Sequence, residues 1–354
     1  MKIKVAVLEK DQTYLNRFVA AFGAKYADKL EIYSFTELNI ALAALKDSRI
    51  DIFLADESFE TPADKIPVRC GFAYFVEPTD IKETKGKPAI CKFQKADIIY
   101  KEILNLYSEQ SGVVAKSRME SGEEAKVILF TSPAGGTGTS TIAAAYALRK
   151  AMQGMQVLYL NLETFGNADN YFQAEGNFDF SDILFALKSR KGNLAMKLES
   201  CVKEDVNGVR FYSGAKLALD RMEMNMDDTL SLLEELKKSN VYDYIVIDYD
   251  FGLDKETRTV WKQTNSIVWV SDGSVHANQK TERAYQSFAI LERNSEDEIA
   301  ERLKLVYNRF SDKTGSRLEN EELQVAGGVP VYGYSDIGQL LGQIAALEML
   351  DNID

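Results

Sequence analysis

The sequence predicts an α/β fold with two doubly wound units, each a mostly parallel sheet covered by helices. Three observations predict it. Apolar strand-like runs alternate with amphipathic helical segments through residues 1–107. The alternation stops in the polar stretch SEQSGVVAKSRMESGEE and restarts at Ala125 with a strand, a glycine-rich turn and a helix. Several strands, YIVI among them, are apolar without a break, as parallel strands buried on both faces are.

In the first unit, IKVAVLE reads as a strand, and YLNRFVAAF places Leu15, Phe18, Val19 and Phe22 on one helical face. LEIYSF is a strand, LNIALAAL a helix, and IDIFLAD a strand ending at Asp56. GFAYFV and PAICKF add two strands, and ADIIYKEILNLY closes the unit as a helix. Five strands alternating with helices make a doubly wound domain over 1–107, with a linker at 108–124. The second domain, 125–354, opens with AKVILFTS, the glycine turn and the helix TSTIAAAYALRKAM, rich in good helix formers. MQVLYLNLE follows as a strand, then a mostly helical region. GVRFYSG, YDYIVIDYD, SIVWVSDG, RLKLVYNRF and GVPVYGY are further strands of a larger sheet.

Composition narrows the function classes. Of 354 residues, 45% are hydrophobic and 27% charged, which is globular composition. The net charge of -12 argues against a broad face for nucleic-acid backbones. No apolar run approaches the roughly 20 residues that span a bilayer, and MKIKVAVLEKDQ lacks signal-peptide features, so a cytoplasmic location is expected. Cys70, Cys91 and Cys201 are too scattered for a disulfide framework or a four-cysteine metal site. The single histidine, His276 in SDGSVHANQK, supports neither a histidine metal cluster nor a Ser-His-Asp triad.

The chemistry concentrates in TSPAGGTGTSTIAAAYA, Thr131 to Ala147. A strand, glycines and a helix expose backbone N–H groups where an anion is favoured. Gly135, Gly136 and Gly138 let the backbone wrap phosphates, with Thr137, Thr139 and Thr141 completing the loop and helix start. Ser140 stands where a P-loop hydroxyl binds magnesium. The pattern G-x-x-x-x-G-K-[ST] nevertheless fails twice, at Pro133 and at Thr139, and a purely structural turn is the alternative. Asp248 ends YDYIVID, where a Walker-B-like acid holds magnesium through water. Glu163 ends VLYLNLE before a polar loop suited to a nucleotide-sensing switch. Such strand ends converge on the carboxyl edge of a parallel sheet, where α/β proteins bind ligands.

The order PAGGTGTST, VLYLNLETFGNAD, YDYIVIDYDFGLD and LVYNRF resembles the MinD/ParA class of deviant Walker ATPases. Their K-G-G-x-G-K-[ST]-T loop places Ala134 at the signature lysine and Thr139 at the P-loop lysine. Their D-x-D becomes Asn161-Leu162-Glu163, and their Asp-x-Pro-Pro-Gly becomes Asp248 to Gly252. The resemblance implies an ATP and Mg2+ site in which Asn308 recognises adenine. The threonine in the loop, with DYDFGLDKET, is similar to the TadZ/CpaE branch, pilus-assembly proteins with an atypical receiver domain before the ATPase domain.

That resemblance implies a homodimer that positions a tight-adherence pilus or secretion apparatus, at a cell pole, with assembly proteins as partners. It makes the first domain receiver-like, of the flavodoxin-like type, and the second a P-loop ATPase domain. By position, Glu9 and Asp11 supply a receiver's acidic cluster, Asp56 the phosphoacceptor and Lys92 the lysine. Glu77 stands about where a Ser/Thr belongs, so docking or dimerisation is expected of this domain rather than phosphorylation at Asp56.

A unit charge near a phosphate is worth roughly 4 kcal/mol at an effective dielectric of about 20. Losing two lysines should therefore cost hydrolysis more than binding, and at most a slow ATPase is expected, with Glu163 and Asp248 as catalytic candidates. Lys280 or Arg283 in QKTERA are candidates to replace the charge. The C-terminal LLGQIAALEMLDNID is apolar on one face but acidic, so packing rather than membrane insertion is expected. No nucleic-acid partner is expected. The alternatives are a ParA-like DNA-segregation ATPase and a response regulator with a nucleotide-binding output; an iron–sulfur electron-transfer ATPase lacks its cysteines, since only Cys201 falls in the second domain.

Overall fold

The structure, a computed structural model, describes residues 2–47, 49–110, 124–190, 193–293, 299–311, 313, 315–320, 322–333 and 336–354. The chain divides into two compact units, Met1–Lys116 with Ser189–Cys201, and Ser117–Lys188 with Val202–Asp354. Most of the expected linker, 111–123, lies outside the described residues.

The first unit runs β1 (Ile3–Leu8), α1 (Gln12–Lys25), β2 (Leu30–Phe35), α2 (Leu38–Asp47), β3 (Ile52–Asp56), β4 (Gly71–Val76), β5 (Glu83–Thr84), β6 (Lys87–Cys91) and α3 (Ala96–Gln110). The strands lie in the order β2-β1-β3-β4-β6-β5, parallel except for β5 against β6. Asp11 caps α1 through the amides of Thr13 and Tyr14, which aims Leu15, Phe18 and Phe22 at the sheet. Alternating residues of β1 supply opposite cores: Val5 and Val7 on one face, Ala6 and Leu8 on the other.

The expected strand–helix alternation breaks twice. Between β3 and β4 stands only a 3-10 turn, Ala63–Lys65, bracketed by Pro62 and Pro67, which disfavour a helix there. Between β4 and β6 the chain makes a hairpin through β5. Lys85 and Gly86 turn it with φ of 52° and 69°, the left-handed pair a two-residue hairpin loop requires.

The second unit contains β7 (Lys126–Thr131), α4 (Thr139–Met152), β8 (Val157–Asn161) and α5 (Phe180–Ser189). After α6 (Leu194–Cys201) come β9 (Lys203–Glu204), β10 (Val209–Phe211), α7 (Ala218–Met222), α8 (Met226–Lys238) and β11 (Tyr244–Asp248). The chain then runs α9 (Lys255–Lys262), β12 (Ser266–Ser271), α10 (Val275–Arg293), β13 (Leu303–Phe310), β14 (Gln324–Pro330) and α11 (Ile337–Ala345). The eight strands lie in the order β14-β13-β12-β7-β11-β8-β10-β9, parallel except for β9 against β10. β14 begins at Gln324 rather than at Gly328 and stops at Pro330, whose missing N–H is tolerated at a sheet edge.

Register sets the functional edge. Asp248 at the end of β11 lies beside Phe130 of β7 and Asn161 of β8, and Trp269 of β12 lies beside Thr131. Small residues Ala143, Ala144, Ala145 and Ala147 are buried where α4 crosses this sheet. α11 packs on α4, burying Leu341, Ile344 and Ala345, so the apolar face of the acidic C-terminal segment is spent inside the unit. No helix among the described residues is long and apolar enough to cross a membrane.

Although α6 lies between α5 and β9 in sequence, it packs along α3 and belongs to the first unit. Met196 joins the core beneath α3, Lys197 donates to Asn105, and Tyr100 donates to Glu199 Oε1 at 3.1 Å.

Candidate functional site

β7 ends at Thr131 and α4 begins at Thr139, leaving Ser132–Gly138 as the turn between them. Gly136 and Gly138 have φ of 78° and 83°, a backbone that other residues rarely adopt. A Cβ at Gly138 would also stand 2.3 Å from Asn308 Nδ2. Asn308 reaches over from β13 and donates to Thr137 O at 2.7 Å. Ser132 ties the loop to β12, its Oγ lying 2.6 Å from Val270 O while it accepts from Thr137 Oγ1 at 3.1 Å. Thr139 turns inward, with Oγ1 3.2 Å from Thr137 Oγ1.

Gly138 is the N-cap of α4, and no side chain caps this end. By contrast Asp11, Asn225, Asp254 and Asp336 cap α1, α8, α9 and α11. The first amides of α4 therefore keep their donors, at the positive end of a 14-residue helix. Gly135 and Gly136 face open space where a Cβ would project.

The acidic side of the site adjoins α4. Ser140 Oγ donates to Glu163 Oε2 at 3.1 Å. Asp248 is fully buried, and its Oδ2 accepts from Tyr159 OH at 2.9 Å and Asn161 Nδ2 at 3.0 Å. Its Oδ1 has no partner among the described residues. Burial, then the neighbouring Glu163 charge, pushes the Asp248 carboxyl up to about 8, against the pull of the hydrogen bond from Tyr159. Unaided, this carboxyl holds a proton at neutral pH.

The fold thus gathers Gly135, Gly136, Thr137, Gly138, Thr139, Ser140 and Thr141 with Glu163, Asp248 and Asn308 around one loop. Lys280 and Arg283 do not join them: they line an open groove along α10 that includes no glycine-loop residue. Sequence reasoning placed Asn161 at the first position of the D-x-D motif but missed Tyr159; the two lie on one face of β8 at i and i+2, toward the acid of the next strand. It also missed Arg309, whose guanidinium donates to Gly136 O.

In the first unit a second cluster forms. Lys92 Nζ lies 2.9 Å from Asp56 Oδ2 and 3.2 Å from Glu9 Oε2, with Glu77 Oε1 at 3.8 Å. Burial works against the Asp56 charge, but Lys92 and the Ser58 hydroxyl and amide outweigh it and hold this carboxyl below the usual range. Asp11 is diverted to capping α1, and no group of three or more His, Cys, Asp or Glu among the described residues is arranged to hold a metal ion.

The family model described as "TadZ-like, receiver domain" matches residues 1–108. The match falls on the unit that has the β2-β1-β3-β4-β6 order and the Asp56–Lys92 pair. The chain shares its fold over 65% of its length with a ParA family ATPase from Chlorobium tepidum TLS, at TM-score 0.51 and 19% identity, covering 98% of that chain. The MinC:MinD cell division complex of Aquifex aeolicus aligns at TM-score 0.48 and 19% identity, over 62% and 94% of the two chains. MinD with Mg-ADP from Pyrococcus horikoshii OT3 aligns at 0.47 and 16%, again over 62% and 94%. No curated protein matches the chain. The chain therefore pairs a segment similar to a TadZ-like receiver domain with the fold of a ParA family ATPase.

Proposed function

We propose that the ParA-fold domain, residues 125–354, binds ATP with Mg2+ in the glycine loop and turns it over slowly or not at all. The observation that carries this reading is the uncapped start of α4 set beside a buried carboxyl group with an unpartnered oxygen. The two halves suit the two parts of the ligand. Amides of Gly135, Gly136, Thr137, Gly138, Thr139, Ser140 and Thr141 suit the phosphates, and Asn308 suits the adenine. The orphaned Asp248 Oδ1 fits a divalent cation, which Ser140 would hold directly and Asp248 through water. Bound there, Mg2+ supplies charge neutralisation of the phosphate oxygens. Glu163 and Asp248 are the candidate acids for positioning water, and Glu163 already accepts from Ser140.

Neither Ala134 nor Thr139 brings charge to a developing transition state, which supports retention over turnover. We assign residues 1–107 to docking, since Asp11 is drawn into the cap of α1 and Glu77 stands about where a Ser/Thr belongs. On these grounds, and on the TadZ-like match, the protein acts as a nucleotide-dependent homodimeric scaffold for a tight-adherence-type pilus or secretion apparatus.

The test combines calorimetric titration of ATP with mass measurement, with and without Mg2+. Saturable binding, a dimer that appears with ATP and turnover far below that of lysine-bearing relatives are expected. A chain that stays monomeric under saturating ATP would sink the switch, and one that binds no ATP would sink the site.

A further inference from the structure

We infer that Arg309 supplies, from within the same protomer, the positive charge that Ala134 and Thr139 leave out, by binding the phosphate chain of the nucleotide. This rests on the nucleotide reading of the glycine loop and adds the residue that makes it work.

The geometry begins in the backbone. β13 and β14 pair with a register shift between Tyr307 and Phe310, an irregularity of the kind that re-aims side chains beside functional sites. Within it Arg309 takes φ of 54°, left-handed in a residue other than glycine. Such a conformation costs free energy and persists where surrounding structure imposes it. The result is that consecutive residues both address the loop: Asn308 donates to Thr137 O at 2.7 Å, and the Arg309 guanidinium donates to Gly136 O.

The electrostatics favour a ligand over a mere brace. The residues of the loop, Ser132–Gly138, carry no charge, while Glu163 stands on its far side, within reach of Ser140. A triphosphate would add several negative charges to that setting. Arg309 remains exposed, and Gly136 O engages one part of a planar group with five N–H donors in a fork suited to phosphate. Its charge already reaches Asp272 just beyond β12, helping the hydrogen bonds from Ser274 to hold that carboxyl below its usual range against burial. A brace to a single carbonyl would need a donor, not a cation.

Binding of ATP and of adenosine to the full chain, with Mg2+, distinguishes these roles in Arg309→Gln, Arg309→Lys and Arg309→Ala. Arg309→Gln keeps a donor for Gly136 O without the charge; Arg309→Lys keeps the charge. The Gln and Ala variants should bind ATP about ten- to hundredfold more weakly, the span of one hydrogen bond to a charged group, and Lys should recover most of the loss. Adenosine affinity should be unchanged in all three. If Arg309→Gln binds ATP like the wild type, or if adenosine binding falls as much as ATP binding, the inference is overturned while the nucleotide reading stands. Wild-type protein that binds no ATP overturns both.

Discussion

Asn308 and Gly138 share one space: the Asn308 amide nitrogen sits 2.3 Å from the place where a Cβ on Gly138 would be. Gly138 also has φ of 83°, so two independent constraints demand glycine there. Gly138→Ala should lose about 1–2 kcal/mol to the left-handed backbone alone, before Asn308 is displaced. Urea unfolding should show the loss, and ATP titration should show weakened binding. Gly135→Ala, which meets open space, should unfold like the wild type.

Asp248 makes a pH prediction. Its folded-state carboxyl is pushed up to about 8, whereas an unfolded aspartate titrates near ~3.9. Between those values the unfolded chain has released a proton that the folded chain retains, so stability falls as pH rises toward 8 and then levels off. Asp248→Asn should remove this slope, leaving the variant more stable than the metal-free wild type above pH 8. Melting temperatures from pH 6 to 9 would check it. Mg2+ with ATP should raise the wild-type melting temperature most at the alkaline end and fail to do so through this position in Asp248→Asn.

Lys92 is 8% exposed between Glu9 and Asp56, whose side chains are 3% and 11% exposed. Lys92→Ala leaves two carboxylates buried together and should cost about 3–5 kcal/mol in urea unfolding. Asp56 is held below its ordinary range, so its contribution is present at neutral pH and lost as pH falls through the folded value. The wild type should therefore lose stability toward acid more steeply than Lys92→Ala.

Asp56 should not be a phosphoacceptor. Incubation with acetyl phosphate is expected to leave no stoichiometric label on the chain. Label that appears, and disappears in Asp56→Asn, would reverse this assignment.

The helix that follows the glycine loop is anchored at its far end by Asp354. Lys150 Nζ, 6% exposed, lies 2.8 Å from Asp354 Oδ1, and Tyr244 OH donates to Oδ2 at 2.7 Å. Asp354→Ala strands a buried ammonium and should cost about 3 kcal/mol. Asp351→Ala, removing a side chain 44% exposed, should cost nearer ~1 kcal/mol. Denaturant midpoints of the two variants decide the order.

What the sequence made legible were features written locally. YIVIDYD announces a buried parallel strand ending in an acid, and GGTGTST announces a turn into a helix. Asn308, distant along the chain, was reached only through a resemblance that makes it an adenine-recognising residue; its amide stands against Gly138 and donates to Thr137 O. The unread parts depend on tertiary geometry. The two-residue strand β5 has no periodicity to detect, although Lys85-Gly86 is a turn signal. Nothing in LAMKLESC says that α6 packs on α3, because its amphipathic face suits any apolar partner. Arg309 follows Asn308 directly in a strand, where alternation should send it to the opposite face; the irregular pairing of β13 cancels that alternation.

The buried lysine of the first unit is a staple. Its ammonium lies 2.9 Å from Asp56 Oδ2 and 3.2 Å from Glu9 Oε2, so one side chain just beyond β6 ties together the ends of β3 and β1. In the docking role proposed above, a partner would meet that sheet edge already tied.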